Sequence, residues 1–353
     1  MWSFVPTHFV YWTHPLLNWT LRSNFRARQQ AGPINWTERP MMTRIIERTA
    51  HLLLSTACLV GTAAANAQTI PMERTPSGHY TVQVEIGDTG AHTFILDTGA
   101  SHTAIAQEAA EALGFVSHWE DIDNVQALTE RFDAERFAVE DLEVIGLPPV
   151  DLLTVVIPET PEEQNTVAGL IGADAFPDRQ FSIDFTDAEL IIHDDIALHP
   201  DGVYDPVRRL LFATAVLGRG SEPINVLIDS GSHQTLVNPA MRAYVNRHWY
   251  SVRLNVSGVS GRIVREVESV AMRGMQIGGV CFSRVDGALA DLDVFHGMGW
   301  TGQPSIILGL DVLSAVELTV DRDAGVFEFG PGGDNQECRN DRVQRTHIDN
   351  EAM

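Results

Sequence analysis

From residue 78 onward the chain alternates. Tyr80, Val82, Val84 and Ile86 fall on one face, and Thr81, Gln83 and Glu85 on the other, the pattern of a half-buried β-strand. A turn follows at Gly87–Gly90. Thr93-Phe94-Ile95-Leu96 is then a continuous strand running into Asp97-Thr98-Gly99. Residues 103–113 predict a short helix closed by Gly114.

The same order returns 132 positions later. Ala213–Gly218 precedes a turn, and Ile224-Asn225-Val226-Leu227-Ile228 then runs into Asp229-Ser230-Gly231. Residues 239–245 predict a second short helix, opened by Pro239. Leu170-Ile171-Gly172 is matched by Ile307-Leu308-Gly309, and the spacing is similar: 75 positions from Asp97 to Gly172, 80 from Asp229 to Gly309. Strand pairs are expected after each, around Phe181–His193 and Val316–Phe329. The pattern predicts an all-β protein with related halves at 75–198 and 207–330. Pro200, Gly202 and Pro206 mark 199–206 as the linker, and the polar, aperiodic stretch 331–353 reads as a disordered tail.

The first 67 residues have a different texture. Residues 41–67 show the three segments of a secretory signal peptide: Arg44 and Arg48, the apolar run Leu52–Ala65, and the small-x-small exit Ala65-Asn66-Ala67. Residues 1–40 hold four of the seven Trp and no acid before Glu38, and read as an unfolded upstream extension. These features predict a periplasmic or secreted protein without stable membrane insertion once the signal is removed.

Charge narrows the partners. The chain contains no Lys, and its formal net charge is −23. Without residues 1–67, 18 Arg face 45 acids, a formal charge of −27. Such a field repels nucleic acid and anionic membranes. Three Cys are too few for a disulfide scaffold, and the pairing of Cys281 with Cys338 is left open. The thirteen His form no metal-binding spacing.

The chemistry lies in the two acidic turns. An apolar strand ending in Asp-Thr/Ser-Gly puts a carboxylate at the mouth of a barrel. The glycine, Gly99 or Gly231, lets backbone approach and can donate its N–H to the acid. Thr98 and Ser230 carry hydroxyls able to bond across to the opposite loop. Ser232 could donate to the outer oxygen of Asp229, whereas Ala100 offers Asp97 no hydroxyl, so the two acids should be inequivalent. Two carboxyls within hydrogen-bond range share one proton. One member can then accept a proton from water while the other polarises a carbonyl. No metal, cofactor or nucleophilic side chain is required.

These residues resemble the aspartic peptidases over about 75–330. Phe94–Ser101 is similar to the retropepsin-like form, and Val226–Ser232 to the pepsin-like form. Gly172 and Gly309 match the glycines that complete the family's ψ-shaped loops. The resemblance implies two β-barrel lobes with pseudo-twofold symmetry and an active-site cleft between them for an extended peptide or protein substrate. Asp97 and Asp229 would be catalytic in an aspartic endopeptidase, and one chain carrying both should act as a monomer.

The covering hairpins match less well. Val256–Arg262 is a glycine-containing tip with Val259 and Ser260 at its apex, whereas Val125–Arg131, with Leu128 and Thr129, has no glycine. The first-half segment also lacks the tyrosine of pepsin-like flaps, for which Phe132 or Trp119 would have to substitute. That gap motivates an alternative reading, a noncatalytic exported peptide-binding module that kept the fold. His102 and His233, just past the aspartates, are read as neutral loop histidines rather than tuners of the acids.

Overall fold

A computed structural model describes residues 68–115, 122–158, 167–176, 179–218, 222–247, 254–260 and 262–330. The readings of 1–40, 41–67, 331–353, Trp119 and Cys338 lie outside the described residues.

The chain is nearly all β, and each half closes a barrel. In the first, Tyr80–Ile86 pairs with Ala91–Leu96, which lies parallel to Gly169–Ile171. Gly169–Ile171 pairs with Ala104–Ala106, then come Val150–Ile157 and Arg131–Val144, and Val84↔Val144 returns the ring to its start. Six strands thus form a closed barrel.

The second barrel has the same order and the same strand directions. Leu210–Leu217, Ile224–Ile228, Ser305–Leu308, Leu236–Val237, Val280–Leu289 and Ile263–Ile277 follow one another, and Ala215↔Ile277 closes the ring. Closure leaves these strands no free edge.

Burial explains the sequence texture. Val82, Val84 and Ile86 are buried while Glu85 is exposed, because Tyr80–Ile86 has one wet face. Phe94, Ile95 and Leu96 are all buried, as are Leu227 and Ile228, because these strands are covered on both faces. A continuous apolar run is what such a position requires.

A further run of strands joins the halves. Gln68–Pro71, Glu189–Ile192, Phe181–Asp184, Glu317–Asp321, Val326–Phe329 and Gly202–Asp205 lie in that order within one sheet. The seam between halves is the register Phe181↔Val320 to Asp184↔Glu317. Ile183 and Leu318 are buried there, and the hydroxyls of Ser182 and Thr319 meet at 2.7 Å. The expected strand pairs after each ψ-loop glycine are present in this sheet. Cys281, on Val280–Leu289, is disulfide-bonded.

Three local expectations need correction. The helix expected over 103–113 is shorter, Gln107–Ala112, because Ala104–Ala106 is pulled into the barrel by parallel pairing with Val155–Ile157. The stretch 199–206 contains the strand Gly202–Asp205, since its polar and proline punctuation flanks a hairpin rather than a free connection. The second short helix is a 3-10 turn at Pro239–Ala243.

Hairpins at 184–189, 205–210 and 321–326 share one construction. Asp184, Asp205 and Asp321 accept backbone N–H groups from the turn that follows, such as Val207 and Arg208 onto Asp205 at 2.9 and 3.1 Å. The last turn residue is left-handed in each case: Ala188 at φ 55°, Arg209 at 56° and Gly325 at 69°. A non-glycine side chain there costs on the order of 1 kcal/mol.

If the shared sheet belongs to a single folding core, Ile183→Ala should cost about 3 kcal/mol. Urea denaturation of the full chain checks this, with one cooperative transition shifted as a whole.

Candidate active site

Asp97 and Asp229 each sit one residue beyond a barrel strand. The Asp97 N–H bonds Ile171 O, and the Asp229 N–H bonds Leu308 O, both at 3.0 Å. Each aspartate is thereby pinned to the parallel strand beside it, and the two loops face one another.

The closeness of that meeting is recorded by the glycines. A Cβ on Gly99 would lie 2.5 Å from Asp229 Cγ, and one on Gly231 would lie 2.3 Å from Asp97 Cγ. Any side chain at either position would collide with the opposite carboxyl. Gly172 and Gly309 serve a comparable role in the layer beneath: a Cβ would fall 2.5 Å from His102 C and 2.6 Å from Gln234 C, in the chain just past each acid.

A crossed set of hydrogen bonds locks the loops. The Thr98 hydroxyl donates to Ile228 O at 3.0 Å and accepts from the Ser230 N–H at 2.9 Å. Reciprocally, the Ser230 hydroxyl donates to Leu96 O at 2.8 Å and accepts from the Thr98 N–H at 3.0 Å. Each hydroxyl spends both capacities on the other half, as the sequence led us to expect. Ser230 is fully buried.

The acids are inequivalent. Asp97 Oδ1 accepts the Gly99 N–H at 2.8 Å, while Asp229 Oδ1 accepts two, from Gly231 at 3.0 Å and Ser232 at 3.1 Å. The Ser232 hydroxyl does not reach the carboxylate. It donates to Gln234 O at 2.8 Å, because the loop turns back on itself and presents the Ser232 backbone N–H instead.

Burial raises Asp97, opposed by the Gly99 N–H, the hydrogen bond with Asp229 and the charge of His79. Asp229 is pushed well above the carboxylate range by burial, then by the charge of Asp97 and by its hydrogen bond with that acid. The two acids are therefore coupled, and Asp229 is pushed up the further of the two.

A second matched layer was missed in the sequence. The Thr103 N–H and hydroxyl both donate to Asp174 Oδ1, at 2.8 and 2.7 Å, and Thr103 Oγ1 accepts the Gly172 N–H at 3.2 Å. Thr235, Asp311 and Gly309 repeat this at 2.9, 2.7 and 3.2 Å. The available signal was a Thr six residues past each aspartate and an Asp two past each glycine. His102 and His233 act on Asp174 and Asp311, not on the acid pair, and burial holds His102 below its ordinary range. His79 is the histidine whose charge reaches Asp97.

The hairpin tips cross. Ala127 N–H bonds Glu130 O at 3.0 Å, closing the glycine-free tip, and none of its residues is left-handed. Leu128 packs on the second barrel's cluster of Val256, Leu292 and Phe295, and the Val294 N–H donates to Leu128 O at 3.3 Å. Val259 packs in turn on Ile95, Ala104 and Leu170 of the first barrel. Between them Thr129 and Ser260 hydroxyls meet at 3.1 Å, and Arg262 donates to Thr129 O at 3.2 Å. Phe132 packs with Val259 on the first-barrel cluster.

Residues 82–175 match the aspartyl protease family. This stretch is an aspartyl protease domain. The match covers Asp97, the first hairpin and Gly172, and it ends before the second barrel and Asp229. No curated protein matches the chain.

Two measurements probe the site. Thr98→Ala orphans the Ser230 N–H and the Ile228 carbonyl and should cost about 2–4 kcal/mol, with Thr98→Ser restoring most of it in the same denaturant titration. The second concerns pH. Because Asp229 has a raised folded pKa, the fold binds more protons than the unfolded chain above the ordinary aspartate range, and stability falls as pH rises through that window. Asp229→Asn should therefore melt higher than wild type at neutral pH, with the gap closing below about pH 4.

Proposed function

We propose that the protein is an aspartic endopeptidase hydrolysing peptide bonds with a water activated between Asp97 and Asp229. The observation that carries this reading is the mutual approach of two half-buried acid loops, each glycine pressed against the opposite carboxyl.

In the proposed reaction Asp229 holds the shared proton and donates a hydrogen bond to the scissile carbonyl. Asp97 takes a proton from water as the water oxygen attacks the carbonyl carbon. The Asp229 proton passes to the carbonyl oxygen as the new C–O bond forms, giving a neutral gem-diol. Asp97 then protonates the nitrogen as the C–N bond breaks, and a gem-diol hydroxyl returns its proton to Asp229. The His79 charge and the Gly99 N–H favour the ionised form of Asp97, which suits it to the role of base.

The tips bond to each other and pack on the opposite barrels, so a substrate passing between them would require them to separate. The glycine-free first tip, which motivates a binding-only reading, closes a regular turn and packs like its counterpart, so no observation favours that alternative. Matching strand orders support an internal duplication, and both acids on one chain support a working monomer. Among the described residues no helix is long and apolar enough to cross a membrane. The signal-like segment supports export to the periplasm or beyond.

Asp97→Asn and Asp229→Asn should each lower cleavage of a mixed peptide library by at least about a thousandfold at acidic to mildly acidic pH. Wild-type turnover in either variant would end the proposal. The pH profile should fall on its basic side as the shared proton is lost.

A further inference from the structure

The two acids stand opposite different neighbours. In the first barrel the ladder between Tyr80–Ile86 and Ala91–Leu96 runs down to Thr81↔Ile95, and two residues further on the same register sets His79 across from Asp97. The second-barrel ladder runs down to Phe212↔Leu227. Two residues on, it sets Leu210 across from Asp229. Both neighbours are buried. One half therefore offers its acid an imidazole, and the other a leucine packed with Leu227, Val256 and Phe295.

The backbone bonds show which kind of rung this is. The His79 carbonyl accepts from the Thr75 N–H at 2.8 Å, and the Asp97 N–H goes to Ile171 O, so neither turns to the other. That is the non-hydrogen-bonded rung of an antiparallel pair, where facing side chains come closest. Gln83 and Thr93 hold such a rung on the same face, and their side chains bond at 3.0 Å. Ile95, also on this face, packs with Val259 of the second hairpin tip. His79 and Asp97 thus belong to the face that looks toward the tips.

The hydrogen bonds of the His79 ring suit its charged form. Nδ1 lies 2.7 Å from Ser77 Oγ, which lies 3.1 Å from Thr75 Oγ1. In the imidazolium Nδ1–H donates to Ser77, and the Ser77 hydroxyl donates on to Thr75. Thr75 Oγ1 also accepts the His79 backbone N–H at 3.0 Å, tying ring and turn together. The other charged groups nearby are Arg74, which bonds Gly78 O and lies over the Tyr80 ring, and His233, whose ring centroid is 6.1 Å away. Asp311 stands behind His233, which draws its carboxyl downward. A positive His79 favours ionised Asp97, whereas Asp229 answers to burial, Asp97 and two backbone N–H groups.

We infer that the difference between His79 and Leu210 divides the labour of the acid pair. His79 is a positioning residue whose imidazolium keeps Asp97 the base, and Leu210 leaves Asp229 the acid. The inference deepens the peptidase reading and rests on it.

The test compares pH profiles of kcat/KM for the full chain on a peptide without titratable side chains. His79→Gln removes the charge and keeps a polar group within reach of Ser77. Without the imidazolium Asp97 binds its proton more readily, so the acidic limb should move to higher pH. On that limb kcat/KM should fall about fivefold, with the loss shrinking as pH rises toward the plateau. His79→Leu, which copies the Leu210 side, should behave alike. Ser77→Ala only releases Nδ1 and should give a smaller loss of the same sign, which keeps the test decisive if the His79 variants fail to fold.

An unmoved acidic limb in the folded variants, or a loss of equal size at every pH, would show that His79 only packs and would overturn the inference. Carbon-13 NMR of labelled aspartate reads the same effect without turnover. The Asp97 carboxyl, assigned by its loss in Asp97→Asn, should titrate at higher pH in His79→Gln than in wild type. That shift, found alongside a wild type that cleaves no peptide, would leave the pairing of His79 with Asp97 standing and sink the peptidase reading.

Discussion

The crossing of two hydroxyls, Thr98 and Ser230, is the interaction on which the rest of the site depends. Each reaches across to the other half, donates to a strand-end carbonyl and accepts the opposing N–H. With those bonds formed, the acid loops cannot slide apart. The carboxyls are then forced together, half-buried, where two charges are costly. The upward push on Asp229 is a consequence of that mechanical constraint. Pinning of each aspartate to its parallel neighbour, at Ile171 and Leu308, supplies the rigid floor that the crossing needs.

Behind the floor, Thr103 with Asp174 and Thr235 with Asp311 fasten the ψ-loop glycines to the segments leaving each acid. Burial raises both of these aspartates, while the threonine hydroxyl works against it. The hairpin tips are exchanged: Leu128 leaves the first barrel to pack on the second, and Val259 does the reverse. The acid loops and the hairpin tips bridge the two halves, as does the shared sheet at Ile183 and Leu318.

The acid loops and their glycines were legible because the pattern occurs twice, each time after a run of apolar residues that only a doubly covered strand requires. The Thr–Asp layer was visible in spacing but had no chemistry to single it out until the chain was folded. Ala104–Ala106 reads as helix because alanine favours it. Tertiary pairing with Val155–Ile157 overrides that preference. The Ser232 hydroxyl was misplaced because sequence does not show which of two donors on one residue a turn will present. The left-handed turn position at Arg209 was illegible for a related reason. A left-handed position announces itself when it holds glycine, as at Gly325, and is silent when it holds arginine.

Carrying both halves on one continuous chain changes what the site can tolerate. Two separate copies would dissociate on dilution, whereas a tethered pair keeps its effective concentration fixed by the connection. The tether also frees the halves from identity. Ala100 can face Ser232, and a glycine-free tip can meet a glycine-containing one, because each gene segment specifies only one side of the cleft. A symmetric dimer would have to repeat every change on both sides. Here a single substitution can bias one end of the groove and leave the other untouched.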